Sequence, residues 1–262
     1  MQDALEPDVD DETIGDRPRQ RRRNLATIGL VAAAVLIAAA VYGIMTIQDE
    51  TSEQTAQPPA TTAPSSATTP QTYTNTGALI QPGTYRMVVG MDDSGVPIEA
   101  DLTFGGDQWG AGDYPVLANT GGIAVYKPLA LAAGTGCYGD GSNLDVGDTP
   151  EAIAAQLAGL PDSTVVQAPA PVQKFGYATV HLQARIDQDC GDEIYAVAHT
   201  RHGAHGISYG DPTQDVVIDF WVMDLGRGDP VVVETWHQAD TPSQLVDQIT
   251  ATRDSIRFVT SR

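Results

Sequence analysis

The chain has 262 residues, and 34 acidic residues against 14 basic ones give it a formal net charge of −20 at pH 7. Five of the basic residues precede an apolar stretch near the N-terminus, so the chain after residue 24 carries 27 acidic residues and only nine basic ones. A surface this acidic repels the phosphates of nucleic acids and anionic lipid headgroups, which excludes nucleic acid as an expected partner.

Residues 25–47 form an uncharged stretch built mainly from Ala, Val, Ile and Leu. A helix of this length measures about 35 Å and spans the roughly 30 Å hydrocarbon core of a bilayer. The alternative is a signal peptide cleaved after Ala38-Ala39-Ala40. The apolar part of a signal peptide is usually about 7–15 residues long, however, and here apolar sequence continues beyond that triplet. The length favours an uncleaved transmembrane helix, with the lipid bilayer as its partner.

The charges on either side of this stretch predict its orientation. Five arginines lie between positions 17 and 23, whereas Asp49 and Glu50 follow the stretch. Positively charged flanks stay on the cytoplasmic side of a membrane. The sequence therefore predicts a single-pass type II protein of the cell membrane, with a cytoplasmic N-terminus and an extracellular C-terminal domain.

Two further segments have biased compositions. Residues 1–24 contain few large apolar side chains, so we expect a disordered cytoplasmic tail. Residues 48–76 consist mostly of Thr, Ser, Ala, Pro and Gln, a composition typical of an extended stalk. Residues 77–262 are left to form an extracytoplasmic domain.

Within this domain, strands are indicated by alternation of apolar and polar residues and by runs of β-branched residues. The six predicted strands are residues 85–89, 98–104, 177–184, 194–199, 216–223 and 231–236. The last two flank a glycine-containing loop at 224–229, as expected of a β-hairpin.

Two helices are predicted from their N-terminal signals. Thr149 is placed as the N-cap of the first, with Pro150 at its first position. Thr241 and Pro242 provide the same signal for the second helix, which carries an apolar stripe of Leu245, Val246, Ile249 and Ile256. Strands grouped together with only two helices predict an α+β fold, in which a mostly antiparallel sheet of about six strands packs against both helices.

The only two cysteines, Cys137 and Cys190, both follow the apolar stretch. An even number of cysteines in an oxidising compartment predicts one disulfide. Closing a loop of this length stabilises a domain by about 4 kcal/mol in the chain-entropy model. A nucleophilic cysteine is the alternative, although an exported thiol with a partner tends to oxidise.

A serine hydrolase is the alternative function. Gly206-Ile-Ser208-Tyr-Gly210 matches the G-x-S-x-G string of these enzymes, and Asp219, Asp224 and His237 follow in their usual chain order. The chemistry requires Ser208 to lie on a sharp turn from a strand into a helix. Here a Gly-Asp-Pro sequence and a β-branched run follow Ser208, so the required helix is not predicted.

His199, His202 and His205 recur every third residue, and imidazoles so placed are candidate ligands of Zn²⁺ or Cu²⁺. Three-residue steps do not bring three side chains together on a strand, and the glycines at 203 and 206 predict a mobile loop instead. The acidic stretches at 140–145 and 187–191 lack the ligand spacing of an EF-hand. Neither a phosphate-binding loop nor a dinucleotide motif occurs, so no cofactor is expected.

Several strings in the C-terminal half resemble one type of actinobacterial surface protein. They are His202-Gly-Ala-His-Gly206, the runs at 217–224 and 231–235, and Asp254-Ser-Ile-Arg-Phe258. In that type, a membrane anchor and a Thr/Pro stalk precede a small domain with two cysteines, a strand hairpin and a terminal helix. The resemblance covers about residues 130–258 and implies a location and a fold but no catalytic residue. The chain is also similar to the PsbP and LpqN-like fold, an antiparallel sheet with helices packed on it.

These features together predict a stalked, non-enzymatic module that binds a protein or a component of the cell envelope. Trp109, Trp221 and Trp236 are the aromatic candidates for contact with a partner. Tryptophans in strands belong more often to the core than to a contact surface.

Overall fold

The computed structural model describes residues 69–133, 137, 143–186, 190, 194–207, 215–226 and 230–259. The predicted tail, the predicted transmembrane stretch at 25–47 and most of the predicted stalk lie outside these residues. Neither helix in the described ranges combines the length and the apolar character needed to cross a membrane.

The described residues form fifteen strands and two helices. In chain order these are β1 (Gln71–Thr72), β2 (Gly83–Met91), β3 (Pro97–Phe104), β4 (Trp109–Ala111), β5 (Pro115–Leu117), β6 (Gly121–Tyr126), β7 (Ala130–Ala132), β8 (Asn143–Asp145), α1 (Pro150–Leu157), β9 (Ser163–Lys174), β10 (Tyr177–Ile186), β11 (Tyr195–Thr200), β12 (Gly203–Ile207), β13 (Val216–Asp224), β14 (Pro230–Gln238), α2 (Ser243–Asp254) and β15 (Arg257–Val259).

The strands are arranged in three sheets. A central sheet of seven antiparallel strands has the order β4-β5-β6-β14-β13-β10-β9. The N-terminal sheet has the order β1-β2-β3-β15, in which only β1 and β2 are parallel. The outer sheet has the order β12-β11-β7-β8 and is antiparallel.

The central sheet is covered on both faces. On one face, Ile218 and Phe220 of β13 belong to a core shared with α1 and with apolar residues of the outer sheet. On the opposite face, Trp221 and Met223 belong to a second core shared with α2 and the N-terminal sheet. Strand β14 is buried on both faces, which explains its run of three valines, Val231 to Val233.

The predicted start of α1 is confirmed, whereas that of α2 is wrong. The Thr149 hydroxyl accepts a hydrogen bond of 3.2 Å from the backbone N–H of Ala152, and Pro150 opens the helix. The second helix begins at Ser243 without a side-chain cap. The Thr241 hydroxyl instead donates to the carbonyl oxygen of Thr120 at 2.9 Å, so it links two loops of the fold.

The predicted fold class is wrong, because the described part of the chain is mostly strand and forms three sheets rather than one sheet of about six strands. Each of the six predicted strands overlaps an observed strand, but other strands were not predicted. Strand β9 is the longest of them and contains Pro169 and Pro171. It lies at the edge of the central sheet, where proline is tolerated because part of the backbone N–H groups face away from the neighbouring strand.

The expected disulfide is present. Cys137 is bonded to Cys190, and their Cα atoms are 5.5 Å apart. Cys137 also forms an isolated antiparallel bridge with Tyr195, the first residue of β11. The bond therefore attaches the chain that precedes α1 to the chain that enters the outer sheet.

Candidate binding groove

A polar groove of about 250 Å³ lies beside the N-terminal sheet. Its lining comes from the end of β1 and the segment after it, from β2 and β3, from the turn between β4 and β5, and from the turn between β11 and β12. The lining residues are Thr72, Tyr73, Asn75, Arg86, Met87, Val88, Glu99, Asp113, Arg201 and His202. Both basic and acidic side chains therefore face one small volume.

Arg86 is held in place by strand pairing. The register of β2 and β3 places Arg86 opposite Asp101. Its Nε and Nη2 atoms donate to the two carboxylate oxygens of Asp101 at 2.8 and 2.9 Å, and its Nη1 lies 4.0 Å from Glu99. The hydrogen bond to Asp101 raises the pKa of Arg86. A two-pronged pair of this kind fixes the plane of the guanidinium group.

The segment after β1 is fastened to the turn between β4 and β5. The Tyr73 hydroxyl donates to the carbonyl oxygen of Gly112 at 2.9 Å, and the Asn75 amide donates to Asp113 Oδ1 at 2.9 Å. Burial, reinforced by the negative charge of Asp113, raises the pKa of Tyr73. These bonds hold an amide and a carboxylate side by side at the groove.

Arg201 and His202 occupy the exposed turn between β11 and β12. The backbone N–H of His202 donates to the Thr200 hydroxyl oxygen at 3.2 Å, and that oxygen also accepts a bond of 2.8 Å from the Tyr114 hydroxyl. Burial raises the pKa of Tyr114 to about 12, against the opposing effects of the bond to Thr200 and the charge of Arg201.

Beneath this turn lies a buried polar trio of His205, Glu234 and Tyr126. His205 Nε2 is 3.1 Å from each carboxylate oxygen of Glu234, and the Tyr126 hydroxyl donates to Glu234 Oε2 at 2.8 Å. Burial raises the pKa of Tyr126 well above its usual value. The Tyr114 ring, 4.3 Å from that of His205, separates the trio from the groove residue His202.

The structure separates the three histidines that were candidate metal ligands. His202 lines the groove, His205 is bonded to Glu234, and His199 is half-buried on β11. Across the described ranges, no three or more His, Cys, Asp and Glu side chains come together in a group able to hold a metal ion. The predicted loop at Gly203 and Gly206 is wrong, since both glycines belong to β12.

Of the hydrolase candidates, the described residues Asp219, Asp224 and His237 each bind a different partner. Ser208 lies outside the described residues. The Nδ1 atom of His237 donates to the carbonyl oxygen of Gln238 at 2.9 Å, whereas Asp219 binds His181 at 2.8 Å. Asp224 accepts a bond of 2.8 Å from the backbone of Gly226, within the turn after β13.

The glycine that begins the G-x-S-x-G string has a packing role. A Cβ at Gly206 would collide with the carbonyl oxygen of Tyr195 on the paired strand β11. This close approach of two backbones explains why residue 206 is a glycine, so a nucleophile motif is not needed to explain it.

A second polar cluster, on β9, β10 and β13, was not predicted. The His181 ring stacks on Trp221, with ring centres 4.8 Å apart and planes at 9°, and Gln167 Nε2 lies 3.0 Å from His181 Nδ1. The guanidinium of Arg253 lies 4.7 Å from the Trp221 ring centre. The sequence signal was the polar residue at alternate positions of otherwise apolar strands, as at His181 and Asp219.

The three tryptophans that were candidates for a contact surface belong to the core. Trp109 is fully buried, while Trp221 and Trp236 are 5% and 7% exposed. The arginines and the exposed histidine of the groove are therefore better placed to meet a ligand than any tryptophan.

No protein-family model and no curated protein matches the chain. Among solved structures, the crystal structure of LpqN, involved in cell envelope biogenesis of Mycobacterium tuberculosis, is similar with a TM-score of 0.30 and 12% identity. The similarity covers 69% of this chain and 87% of the LpqN chain. LpqN is thus a weak structural neighbour, and the likeness carries no argument about function.

Proposed function

We propose that the domain is a non-enzymatic binding module of the cell envelope that holds a small polar ligand in the groove. The observation that carries the proposal is the convergence of Arg86, Asn75, Asp113 and Arg201 on one volume of about 250 Å³. Small-ligand sites depend on a few polar groups held in place before the ligand arrives.

Three of these groups are held by bonds within the domain. Asp101 orients Arg86, and Asn75 and Asp113 orient each other. A ligand that meets such groups loses less free energy to ordering of side chains than one that meets mobile groups. The groove offers both donors and acceptors, so the proposed ligand carries both.

The proposal places the domain outside the cytoplasm. The bond between Cys137 and Cys190 supports this location, because structural disulfides persist mainly in oxidising compartments. We therefore expect the ligand to be a component of the cell envelope.

The test uses the full-length protein with its methionine methyl groups labelled for NMR. Met87 lines the groove, while Met223 lies fully buried in the same core and serves as an internal control. A panel of monosaccharides, amino acids and dipeptides is titrated in turn. We expect at least one compound to shift the Met87 signal and to leave Met223 unchanged.

The matched variants are Asp113→Ala in the groove and Asp247→Ala on the exposed side of α2, which remove the same charge. The first should reduce the shift of Met87 and the second should not. A panel in which no compound shifts Met87, or in which both variants respond alike, would contradict the proposed function.

A further inference from the structure

The two arginines of the groove differ in what already surrounds them. Arg86 is engaged by Asp101 and lies close to Glu99. Arg201 is exposed, and its side chain makes neither a hydrogen bond nor an ion pair with any residue that the structure describes. Only Arg201 therefore has all of its guanidinium donors available to a ligand.

Arg201 is unusual for a cation in so acidic a chain. Five other basic side chains in the described ranges form ion pairs with aspartates, and Arg257 donates to backbone carbonyl oxygens. The five are Arg86, Lys127, Lys174, Arg185 and Arg253. With three acidic residues for each basic one after residue 24, a basic residue seldom lacks an acidic neighbour. The guanidinium of Arg201 is thus available to a ligand at the groove.

The remainder of the groove suits hydroxyl groups. The carboxylate of Asp113 has about four acceptor sites, of which the Asn75 amide uses one, and the Asn75 side-chain carbonyl is itself an acceptor. Glu99 provides further acceptors beside Arg86. Sugar hydroxyls both donate and accept, so they match an array of fixed carboxylate, amide and guanidinium groups.

The size and the charge of the groove narrow the class of ligand further. A volume of about 250 Å³ lies just below the usual range of pockets for drug-sized ligands, which leaves room for a single ring. One planar guanidinium matches one carboxylate through two parallel hydrogen bonds. A doubly charged phosphate would be repelled by Asp113 and Glu99, which line the same groove.

We infer that the ligand is an acidic saccharide, whose carboxylate binds Arg201 and whose ring hydroxyls bind Asn75 and Asp113. This inference rests on the proposed function. His202, which shares a turn with Arg201, also lines the groove. Arg201 is therefore the residue that distinguishes an acidic sugar from its neutral analogue.

The experiment compares two sugars that differ at a single carbon. Methyl β-D-glucuronide and methyl β-D-glucoside are titrated into the full-length protein, and their dissociation constants are measured from the shift of the Met87 methyl signal. We expect the glucuronide to bind about fivefold more tightly, because an exposed charged hydrogen bond contributes modestly. The difference should shrink at high salt.

Two variants test the role of Arg201. Arg201→Gln should reduce the preference for the glucuronide over the glucoside to less than about twofold. Arg185→Gln is the control, since it removes the same charge from a residue on β10 that does not line the groove. It should retain the preference.

The outcomes separate this inference from the proposed function. Equal binding of the two sugars at Met87 would overturn the inference and leave the groove as a binding site. Tighter binding of N-acetylalanine, a peptide-like carboxylate, would overturn the saccharide assignment in the same way. If no sugar, amino acid or dipeptide shifts Met87, both the inference and the proposed function are wrong.

Discussion

The Nε2 atom of His205 lies 3.1 Å from both carboxylate oxygens of Glu234, and both side chains are buried. His205 belongs to β12 of the outer sheet and Glu234 to β14 of the central sheet. The pair therefore joins two sheets, and His205 lies three residues after His202, the last residue of the turn that bears Arg201. Its neighbours are Tyr126, which donates to Glu234, and Tyr114, whose ring contacts His205.

Removal of one member of this pair should destabilise the domain strongly. In Glu234→Ala, a buried imidazole and the Tyr126 hydroxyl both lose their partner, and loss of one member of a buried pair typically costs about 3–5 kcal/mol. Urea unfolding followed by tryptophan fluorescence measures the loss. The exposed Asp247→Ala should change the free energy of unfolding by less than about 0.5 kcal/mol. A loss under about 1 kcal/mol in Glu234→Ala would show that the pair has no structural role.

Reduction of the disulfide should lower the melting temperature. A loss of about 2–4 kcal/mol corresponds to roughly 5–15 °C in a domain of this size. Calorimetry with and without reductant gives the shift for the bond between Cys137 and Cys190. Cys137→Ala/Cys190→Ala should melt at the reduced temperature without reductant, and Cys137→Ser should expose one titratable thiol. Two free thiols in the native protein would contradict the bond.

Stability should fall in alkaline solution because burial raises the pKa of Tyr114 to about 12 from an ordinary value of 10.0. A tyrosine with a raised pKa in the folded state contributes stability that is complete below the unfolded pKa and declines as pH rises through the folded value. Between pH 9 and pH 11, Tyr114 should account for about 1 kcal/mol of this loss. Urea unfolding of Tyr114→Phe should show a correspondingly smaller loss between these values. Equal losses in both proteins would rule out Tyr114 as a source of the pH dependence.

The C-terminal domain should lie outside the cytoplasm. A reporter enzyme that is active only after export, fused after Arg262, should be active in intact cells, because structural disulfides persist mainly in oxidising compartments. A second fusion at the same residue, to a reporter that is active only in the cytoplasm, is the control. Activity of the cytoplasmic reporter alone would contradict the proposed location.

A fluorophosphonate probe should not label the protein. Asp219 binds His181 and Asp224 binds a turn backbone, so neither acid orients His237 in the way that a catalytic triad requires. Gel fluorescence of the full-length protein after incubation with the probe tests this expectation. Labelling that disappears in Ser208→Ala would establish the hydrolase alternative instead.

The groove could not be predicted from the sequence. The histidine-rich string contains one groove residue, His202, but its three imidazoles were grouped by their spacing alone. In the structure His205 lies on β12 and binds Glu234, whereas His202 lies in the turn before β12 and lines the groove. Asn75 and Arg86 carry no local signal of a site, since only the pairing of β2 with β3 and the packing of neighbouring turns bring them near Arg201.

The sequence by itself determined the features that depend on near neighbours along the chain. Alternation in β3, the apolar run of β14 and the Thr149-Pro150 start of α1 all reflect local backbone geometry, and a lone pair of cysteines left one possible disulfide. The tertiary structure alone decided what depends on distant partners. It assigned β9 to a sheet edge, bonded Thr241 to Thr120, divided the strands among three sheets and assembled the groove. These outcomes depend on burial and hydrogen bonds between segments far apart in the chain, which no short stretch of sequence encodes.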